Sequence, residues 1–331
     1  MRNLLSIFSF KNRNQFAAIG LFIAMVIVLE TAFAFLPQNS LMTSFNVNRT
    51  LPNPAPDFQI MGDSVAQGGL IADQLQEYLP PGKTVYNYAL GGTGPEFPYF
   101  ILKRQIKAGS APKNIIYGPS PHTFHSKRVA LLVGAFCDWG ESWDVVMSRK
   151  EPFEAVYGGV CKLSYTFRHR EPIRELLKKP APLFPKLVLR EQNEMPSAGI
   201  AAERHYSEED LHPMYKRGFK VLSFNRHYFE KFLDLAQQNG IQVYWVTMPV
   251  LPVVAESRKN VLFDAAYFAF LEEAQKRFGI KLLQKEFLVF EDQDFKDFTH
   301  LDIPAAERFT KIVGEKLSNL PPATVRNSAK R

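Results

Sequence analysis

Short apolar runs alternate with longer stretches of helical apolar periodicity between residues 57 and 320. Runs of this length, bounded by glycine, proline or polar residues, are typical of buried strands. The predicted strands are DFQIMGDSV (57–65), TVYNYAL (84–90), NIIYG (114–118), IQVYWVTMPV (241–250) and IKLLQ (280–284). The predicted helices are GLIADQLQEYL (69–79), EFPYFILKRQIKAG (96–109), residues 216–240, residues 261–279 and residues 304–320.

This alternation predicts an α/β domain with a five-stranded parallel sheet that helices cover on both faces. The pattern breaks between about residue 122 and residue 214, which we interpret as one large insertion. In such sheets, ligands bind beyond the carboxyl ends of the strands, where the strand order reverses. Candidate chemistry is therefore expected in the loops that follow the strands.

The longest apolar run extends from Phe16 to Leu36 and is interrupted by Glu30. In a helix, these 21 residues would span about 30 Å, the thickness of the hydrocarbon core of a bilayer. Arg2, Lys11 and Arg13 precede the run, so the favoured interpretation is an uncleaved transmembrane anchor with an extracytoplasmic domain, either periplasmic or extracellular. The alternative is a signal peptide cleaved after the AFA triplet 32–34. Both interpretations export the rest of the chain.

These patterns predict four segments along the chain. Residues 1–36 form the tail and anchor, and residues 37–56, rich in Pro, Asn and Ser, form a linker. Residues 57–320 form the α/β domain with its insertion, and residues 321–331 form a tail.

The insertion contains both cysteines of the chain, Cys137 and Cys161. Export allows a disulfide to persist, so a disulfide is the favoured expectation and two buried thiols are the alternative. Two cysteines without a matching histidine pattern do not form a zinc site, and we expect neither a metal nor a cofactor.

The formal net charge of the chain is +7, and within the insertion residues 162–190 form a basic segment with eight Lys or Arg and two Glu. Such a segment suits an anionic polymer or anionic headgroups, and a solvated basic face is the plainer alternative. Nucleic acid is a poor partner for an exported chain without an aromatic-interleaved recognition motif. Trp139, Trp143 and Tyr157 beside this segment are candidates for polymer contact, or else they pack in a core.

Three strand ends hold candidate reactive or hydrogen-bonding groups. Ser64 follows the first strand and precedes a helix, so it is a candidate nucleophile; Asp63 and Ser64 are alternatively turn or helix-capping residues. The second strand ends in NYALGGTG (87–94), where the N–H of Gly92 is a candidate oxyanion donor. The third ends in GPSPHTFH (118–125), which brings Ser120, His122 and His125 to the same edge.

Asp297 and His300 lie three residues apart, immediately before the last predicted helix. One turn of backbone at this spacing places a carboxylate where it orients an imidazole. A serine nucleophile needs such a base and such a partner. We therefore interpret Ser64, His300 and Asp297 as a catalytic triad.

Together these blocks resemble the SGNH (GDSL-like) hydrolase family. Gly62-Asp63-Ser64 is similar to its nucleophile block, residues 87–92 to the block that lines the oxyanion hole, and Asp297-x-x-His300 to its acid and base. The resemblance implies a flavodoxin-like three-layer sandwich and acyl-ester chemistry. It also implies an oxyanion hole formed by the N–H groups of Ser64 and Gly92. The family's third block usually contributes an asparagine amide; here Ser120 occupies that region, and we expect its hydroxyl to be the substitute donor.

The anchor and the segments SPHTF, VTMPV and FKDFTHLD also resemble membrane-anchored SGNH-like proteins of cell-envelope acylation, such as the D-alanyl transfer protein DltD and the alginate O-acetylation proteins. The resemblance implies an O-acyltransferase or esterase that acts on an envelope glycopolymer or exopolysaccharide, alongside a multipass membrane acyltransferase. The alternatives are a catalytically inactive polymer-binding or scaffolding subunit and, if cleavage follows Ala34, a secreted esterase.

Overall fold

The computed structural model describes residues 13–34, 55–125, 137–149, 158–161, 163–168, 174, 206–207, 209, 211 and 215–320. Residues 37–54 of the predicted linker, the C-terminal tail, Tyr157 and most of the basic segment 162–190 lie outside the described residues. The chain forms two compact units. Unit 1 comprises Met1–Val47 and Ala130–Val188, and unit 2 comprises Asn48–Val129 and Leu189–Arg331.

Unit 2 contains a five-stranded sheet in which all neighbouring strands are parallel. The strands are β1 (Phe58–Met61), β2 (Val85–Asn87), β3 (Asn114–Tyr117), β4 (Gln242–Trp245) and β5 (Lys281–Leu282). Their spatial order is β2-β1-β3-β4-β5, which is the order of flavodoxin-like folds. The predicted α/β class and five parallel strands are confirmed, and the strand order reverses between β1 and β3.

Helices cover the sheet and connect its strands. Unit 2 contains α2 (Ser64–Gly69), α3 (Ala72–Gln76), α4 (Glu96–Lys107), α7 (Ser223–Gln238), α8 (Pro252–Lys259), α9 (Phe263–Phe278) and α10 (Ile303–Ser318). Unit 1 contains α1 (Arg13–Ala34), α5 (Trp139–Arg149) and α6 (Tyr165–Arg168). Helix α10 packs on α2 and α3, whereas α7 packs on α4 and α9. The helices of unit 2 therefore form two groups.

The alternation of side chains along the strands supplies a different core to each face of the sheet. Ile60, Ile116 and Tyr244 occupy one register level and join the core that α2, α3 and α10 cover. One residue further along, Met61, Tyr117 and Trp245 are fully buried on the opposite face. That second core is aromatic: the ring centroids of Phe124, Phe229 and Trp245 lie 5.4 to 6.2 Å apart. Apolar burial on both faces explains why the strands read as near-continuous apolar runs.

In unit 1, α1 has 22 residues, and its side chains are described over residues 17–32. The large apolar side chains of this stretch are exposed, among them Leu21 and Val28. Within the part of the chain that the structure describes, no helix combines the length and apolar character needed to cross a membrane.

Cys137 and Cys161 are both buried in the described part of unit 1. The disulfide between them stays a prediction, and two buried thiols stay its alternative.

A buried pair of amide side chains links the sheet to α4. Gln59 and Gln105 are each fully buried, and each donates from Nε2 to the other's Oε1, at 3.2 and 2.6 Å. Removing one amide leaves its partner buried without a hydrogen bond, which costs about 1–3 kcal/mol.

We predict that Gln59→Leu lowers the free energy of unfolding by about 1–3 kcal/mol. The double variant Gln59→Leu/Gln105→Leu is expected to lose less than the two single variants together, because neither amide is left unpaired. Urea denaturation of the four proteins measures this difference. Strict additivity of the two single losses would contradict the pairing.

Candidate functional site

The first part of the site is the turn that follows β1. Asp63 has extended backbone and caps α2, and its Oδ1 accepts a hydrogen bond from the N–H of Val65 at 3.0 Å. Ser64 is the first residue of α2 and is half-buried. The capping interpretation of Asp63 is therefore correct, and it is the cap that presents Ser64 at the carboxyl edge of the sheet.

Gly62 allows this turn to pass close to the next strand. Its φ is +150°, and a Cβ there would lie 2.7 Å from the Cβ of Ala66 and 2.8 Å from the carbonyl oxygen of Gly118. Only glycine fits at this separation. The ends of β1 and β3 are consequently in direct contact at the point where the strand order reverses.

Asp63 also holds the loop after β3. Its Oδ2 accepts hydrogen bonds from the hydroxyl of Ser120 at 2.6 Å and from the N–H of Ser120 at 3.2 Å. Burial raises the pKa of Asp63, and the hydrogen bonds from Ser120 and Val65 oppose that effect. The Ser120 hydroxyl thus donates to Asp63, and this contact differs from the expected use of that hydroxyl as an oxyanion donor.

Ser64, His300 and Asp297 form a continuous chain of hydrogen bonds. His300 Nε2 lies 2.8 Å from Ser64 Oγ, although the two residues are 236 positions apart in sequence. His300 Nδ1 lies 2.9 and 2.8 Å from the two carboxylate oxygens of Asp297. A carboxylate only accepts, so the proton of a neutral imidazole belongs on Nδ1 and Nε2 accepts from the serine hydroxyl.

A tight loop before α10 fixes the acid and the base. The N–H of Lys296 donates to the carbonyl of His300 at 2.8 Å, and Phe295 and Leu301 form an antiparallel bridge. Asp297 Oδ1 accepts from the N–H groups of Thr299 and His300, each at 2.9 Å. The backbone of its own loop therefore holds the carboxylate, in addition to the contact with the imidazole.

The environment of Asp297 favours its ionised form. Partial burial opposes ionisation, but the hydrogen bonds from His300 and Thr299 outweigh it and hold the pKa of Asp297 well below its usual value. The carboxylate is therefore charged wherever His300 can act as a base. An ionised partner of this kind stabilises the imidazolium that forms when histidine takes a proton.

The loop after β2 lies beside Ser64. A Cβ on Gly91 would be 3.1 Å from the Cβ of Ser64, and the Gly91 N–H donates to Gln67 Oε1 at 3.0 Å. Gly92 has a φ of +76°, which favours glycine, and it is exposed. Among the described residues, the N–H groups of Ser64 and Gly92 have no acceptor.

Asn87 anchors the same loop at the end of β2. Its side-chain amide donates to the carbonyl of Leu70 at 2.9 Å and accepts from the N–H of Ala89 at 3.0 Å. His125, by contrast, supports the fold: its Nε2 accepts from the N–H of Lys220 at 2.9 Å, and burial lowers its pKa. His122 is exposed.

Sequence reasoning missed two supporting residues, Gln67 and Thr299. Gln67 lies one helical turn after Ser64 and fixes the glycine loop. The Thr299 hydroxyl lies 3.1 Å from Asp297 Oδ1 and 3.2 Å from His300 Nδ1. An Asp followed two residues later by Thr indicates an Asx turn, and that signal was present in the sequence.

No group of three or more His, Cys, Asp or Glu side chains is placed to hold a metal ion within the described ranges. The arrangement combines a hydroxyl whose proton an oriented imidazole can accept with two nearby backbone N–H groups that have no acceptor among the described residues.

A protein-family model that carries no functional description matches residues 216–321, a span that includes Asp297 and His300 and excludes Ser64. No curated protein and no solved structure matches the chain.

We predict that Ser120→Ala lowers the free energy of unfolding by about 1–3 kcal/mol, because it removes one hydrogen bond from a buried carboxylate. The reaction of Ser64 with a serine-directed fluorophosphonate probe should slow by about tenfold or less. A lost oxyanion donor would slow it by about 10²–10³-fold.

Ser120→Thr, which retains the hydroxyl, is the matched control. A labelling rate lower by about 10²-fold or more in Ser120→Ala, with unchanged stability, would contradict the role of Ser120 as a partner of Asp63. It would show instead that the Ser120 hydroxyl is an oxyanion donor.

Proposed function

We propose that this protein is a serine-dependent O-acyltransferase or esterase of the SGNH type that acts on an extracytoplasmic polysaccharide. The observation that carries the proposal is the continuous hydrogen-bond chain from Asp297 through His300 to Ser64 at the carboxyl edge of the sheet. Active sites of doubly wound sheets lie at this edge. The resemblance of residues 62–64, 87–92 and 297–300 to the SGNH blocks supports the same conclusion.

In the first step, Ser64 Oγ attacks the carbonyl carbon of an acyl ester while His300 Nε2 takes the hydroxyl proton. The C–O bond to the leaving alcohol then breaks, and His300 returns the proton to the departing oxygen. The product is an ester of Ser64. Asp297 stays ionised throughout and stabilises the imidazolium.

The second step transfers the acyl group to an acceptor hydroxyl. His300 takes the acceptor's proton as its oxygen attacks the Ser64 ester, and the Ser64 oxygen leaves as the hydroxyl regains that proton. A sugar hydroxyl as acceptor makes the protein a transferase, whereas water makes it an esterase. Both outcomes use the same three residues.

The N–H groups of Ser64 and Gly92 are the proposed oxyanion donors. Two observations support them: neither has an acceptor among the described residues, and the glycine loop packs against Ser64. Donors that are free before the reaction can bind the charge that develops on the carbonyl oxygen without reorganisation.

We further propose that the apolar segment 16–36 anchors the chain in a membrane with the domain on the extracytoplasmic side. Supporting features are the length of the apolar run, the basic residues Arg2, Lys11 and Arg13 before it, and the exposed apolar side chains of α1. The proposed substrate is an envelope glycopolymer or exopolysaccharide, and a multipass membrane acyltransferase is the proposed supplier of acyl groups.

A scaffolding subunit without catalysis is the second candidate. The observation that favours it is the engagement of the Ser120 hydroxyl by Asp63, which leaves the third block without its usual oxyanion donor. The two candidates differ in whether Ser64 is a reactive nucleophile.

Labelling of the full chain with a fluorophosphonate separates these candidates. We predict covalent labelling of the wild type, none in Ser64→Ala, and labelling slower by about 10²–10⁴-fold in His300→Ala. Ser110→Ala is the control for a serine outside the site. A folded wild-type protein that is not labelled, or is labelled equally after Ser64→Ala, would contradict the enzymatic proposal.

Asp297→Asn is predicted to slow labelling by about 10²–10⁴-fold, because an amide neither fixes the imidazole tautomer nor stabilises the imidazolium. Glu315→Gln, on the exposed surface of α10, is the matched control for loss of a carboxylate. An unchanged pH–rate profile in Asp297→Asn would contradict this role.

The lowered pKa of Asp297 also predicts a dependence of stability on pH. Its ionised form stabilises the fold above its ordinary pKa of 3.8, and this contribution is lost as the pH falls below that value towards the folded-state pKa. The stability of each protein is expressed relative to its own stability at neutral pH. On that scale, acid unfolding of the wild type should begin at a higher pH than acid unfolding of Asp297→Asn.

A further inference from the structure

Helix α5 of unit 1 presents its large apolar side chains to the outside. Trp139, Trp143 and Met147 are 61%, 67% and 58% exposed, respectively. They occur at every fourth position, so at about 100° per residue they form one stripe about 80° wide. We call these three side chains the apolar stripe of α5.

The buried face of α5 is the more polar one. Glu141, Ser142 and Val145 are the buried residues of this helix. A surface helix of a globular domain has the opposite arrangement, with apolar residues facing inward. The inverted pattern makes the exposed part of the apolar stripe a candidate contact surface.

Local hydrogen bonds satisfy the inward polar groups. The N–H of Asp138 donates to Glu141 Oε2 at 2.9 Å, and the N–H of Glu141 donates to Asp138 Oδ1 at 2.7 Å. This reciprocal pair is a capping box. The Ser142 hydroxyl donates to the carbonyl of Asp138 at 2.6 Å. These bonds cap the N-terminus of α5 and give its inward Glu141 and Ser142 hydrogen-bond partners.

The same unit contains the apolar helix α1, and two hydrogen bonds attach part of the insertion to it. Glu30 accepts from the Ser164 hydroxyl at 2.6 Å and from the N–H of Thr166 at 3.0 Å. Glu30 is the acidic residue near the end of the apolar run. These bonds hold the residues around α6 at the C-terminal end of α1.

We propose that the apolar stripe of α5 lies in the interfacial layer of the membrane that α1 enters. The inference rests on the proposed membrane position of α1 and is independent of the serine chemistry. Tryptophan is enriched at membrane–water interfaces because its ring is apolar and its N–H bonds to headgroups and water. An amphipathic helix with Trp on its apolar face lies in the plane of that interface.

Two further features favour lipid, rather than polysaccharide or protein, as the partner of the apolar stripe. Met147 of the stripe and Leu163 of the same unit, 58% and 76% exposed, have aliphatic side chains, which contact acyl chains and do not stack on sugars. The sequence of residues 162–190 has six more positive than negative charges, which anionic headgroups attract. The side-chain chemistry and the charge therefore both suit a bilayer surface.

The chain has three tryptophans, and this makes the test specific. Trp245 is fully buried in unit 2, where its Nε1 donates to the Tyr267 hydroxyl at 3.1 Å. Trp139 and Trp143 are the other two. The difference in emission between the wild type and Trp139→Phe/Trp143→Phe therefore reports on the apolar stripe alone. Phenylalanine keeps the stripe apolar, so the variant retains the proposed contact and loses only its fluorophores.

The full-length proteins are added to vesicles of phosphatidylcholine and phosphatidylglycerol, with or without bromine on the acyl chains, and are separated by flotation. We expect both proteins to float with the vesicles. Brominated lipid should quench the part of the emission that belongs to Trp139 and Trp143, while the emission of Trp245 remains. That part should also shift to shorter wavelength on binding and become inaccessible to acrylamide.

Three results would overturn the inference, and they are distinguishable. If the proteins do not float, both the membrane position of α1 and the interfacial position of α5 are wrong. If they float but the emission of Trp139 and Trp143 is quenched by acrylamide and not by brominated lipid, only the inference about α5 is wrong. A shift caused by an anionic polysaccharide in the absence of vesicles would assign the stripe to the polymer instead. None of these results depends on the reactivity of Ser64.

Discussion

The site depends on the buried carboxylate of Asp63, which joins two strand ends where the strand order reverses. One oxygen caps the helix that begins with Ser64, and the other accepts two hydrogen bonds from Ser120 in the loop after β3. Burial of this group raises its pKa, and its hydrogen bonds offset that cost in part. This one carboxylate thus connects the first turn of α2 to the loop after β3 and helps to place Ser64 at that edge.

Two aspartates in the same site have opposite electrostatic environments. Burial dominates for Asp63 and raises its pKa, whereas hydrogen bonds from His300 and Thr299 dominate for Asp297 and lower its pKa. The difference matches their positions: Asp63 organises a backbone turn, whereas Asp297 faces the imidazole that gains positive charge in the proposed mechanism. Two chemically identical side chains therefore have different roles because their surroundings differ.

Much of the domain could be predicted from the sequence because local patterns determine it. The five strands and the α/β class follow from short apolar runs between helical stretches. The proximity of Asp297 and His300 could be predicted because both lie in one short loop. The strand ends were harder to predict. The strand DFQIMGDSV was expected to extend to residue 65, but β1 ends at Met61 because Asp63 leaves the sheet to cap α2.

Helix α8 was missed because the apolar run that precedes it has the pattern of one continuous strand. The use of the Ser120 hydroxyl was also unpredictable, since its partner lies 57 residues away.

The central claim is that Ser64 becomes acylated with the help of His300, and the most direct measurement is to trap that ester. The full chain is mixed with an activated acetyl ester, quenched with acid within seconds, digested and analysed by mass spectrometry. Our account predicts an acetyl group on the peptide that contains Ser64 in the wild type, and a much slower appearance of that peptide in His300→Ala. Acetyl groups distributed over lysines and absent from Ser64, at the same rate in both proteins, would contradict it.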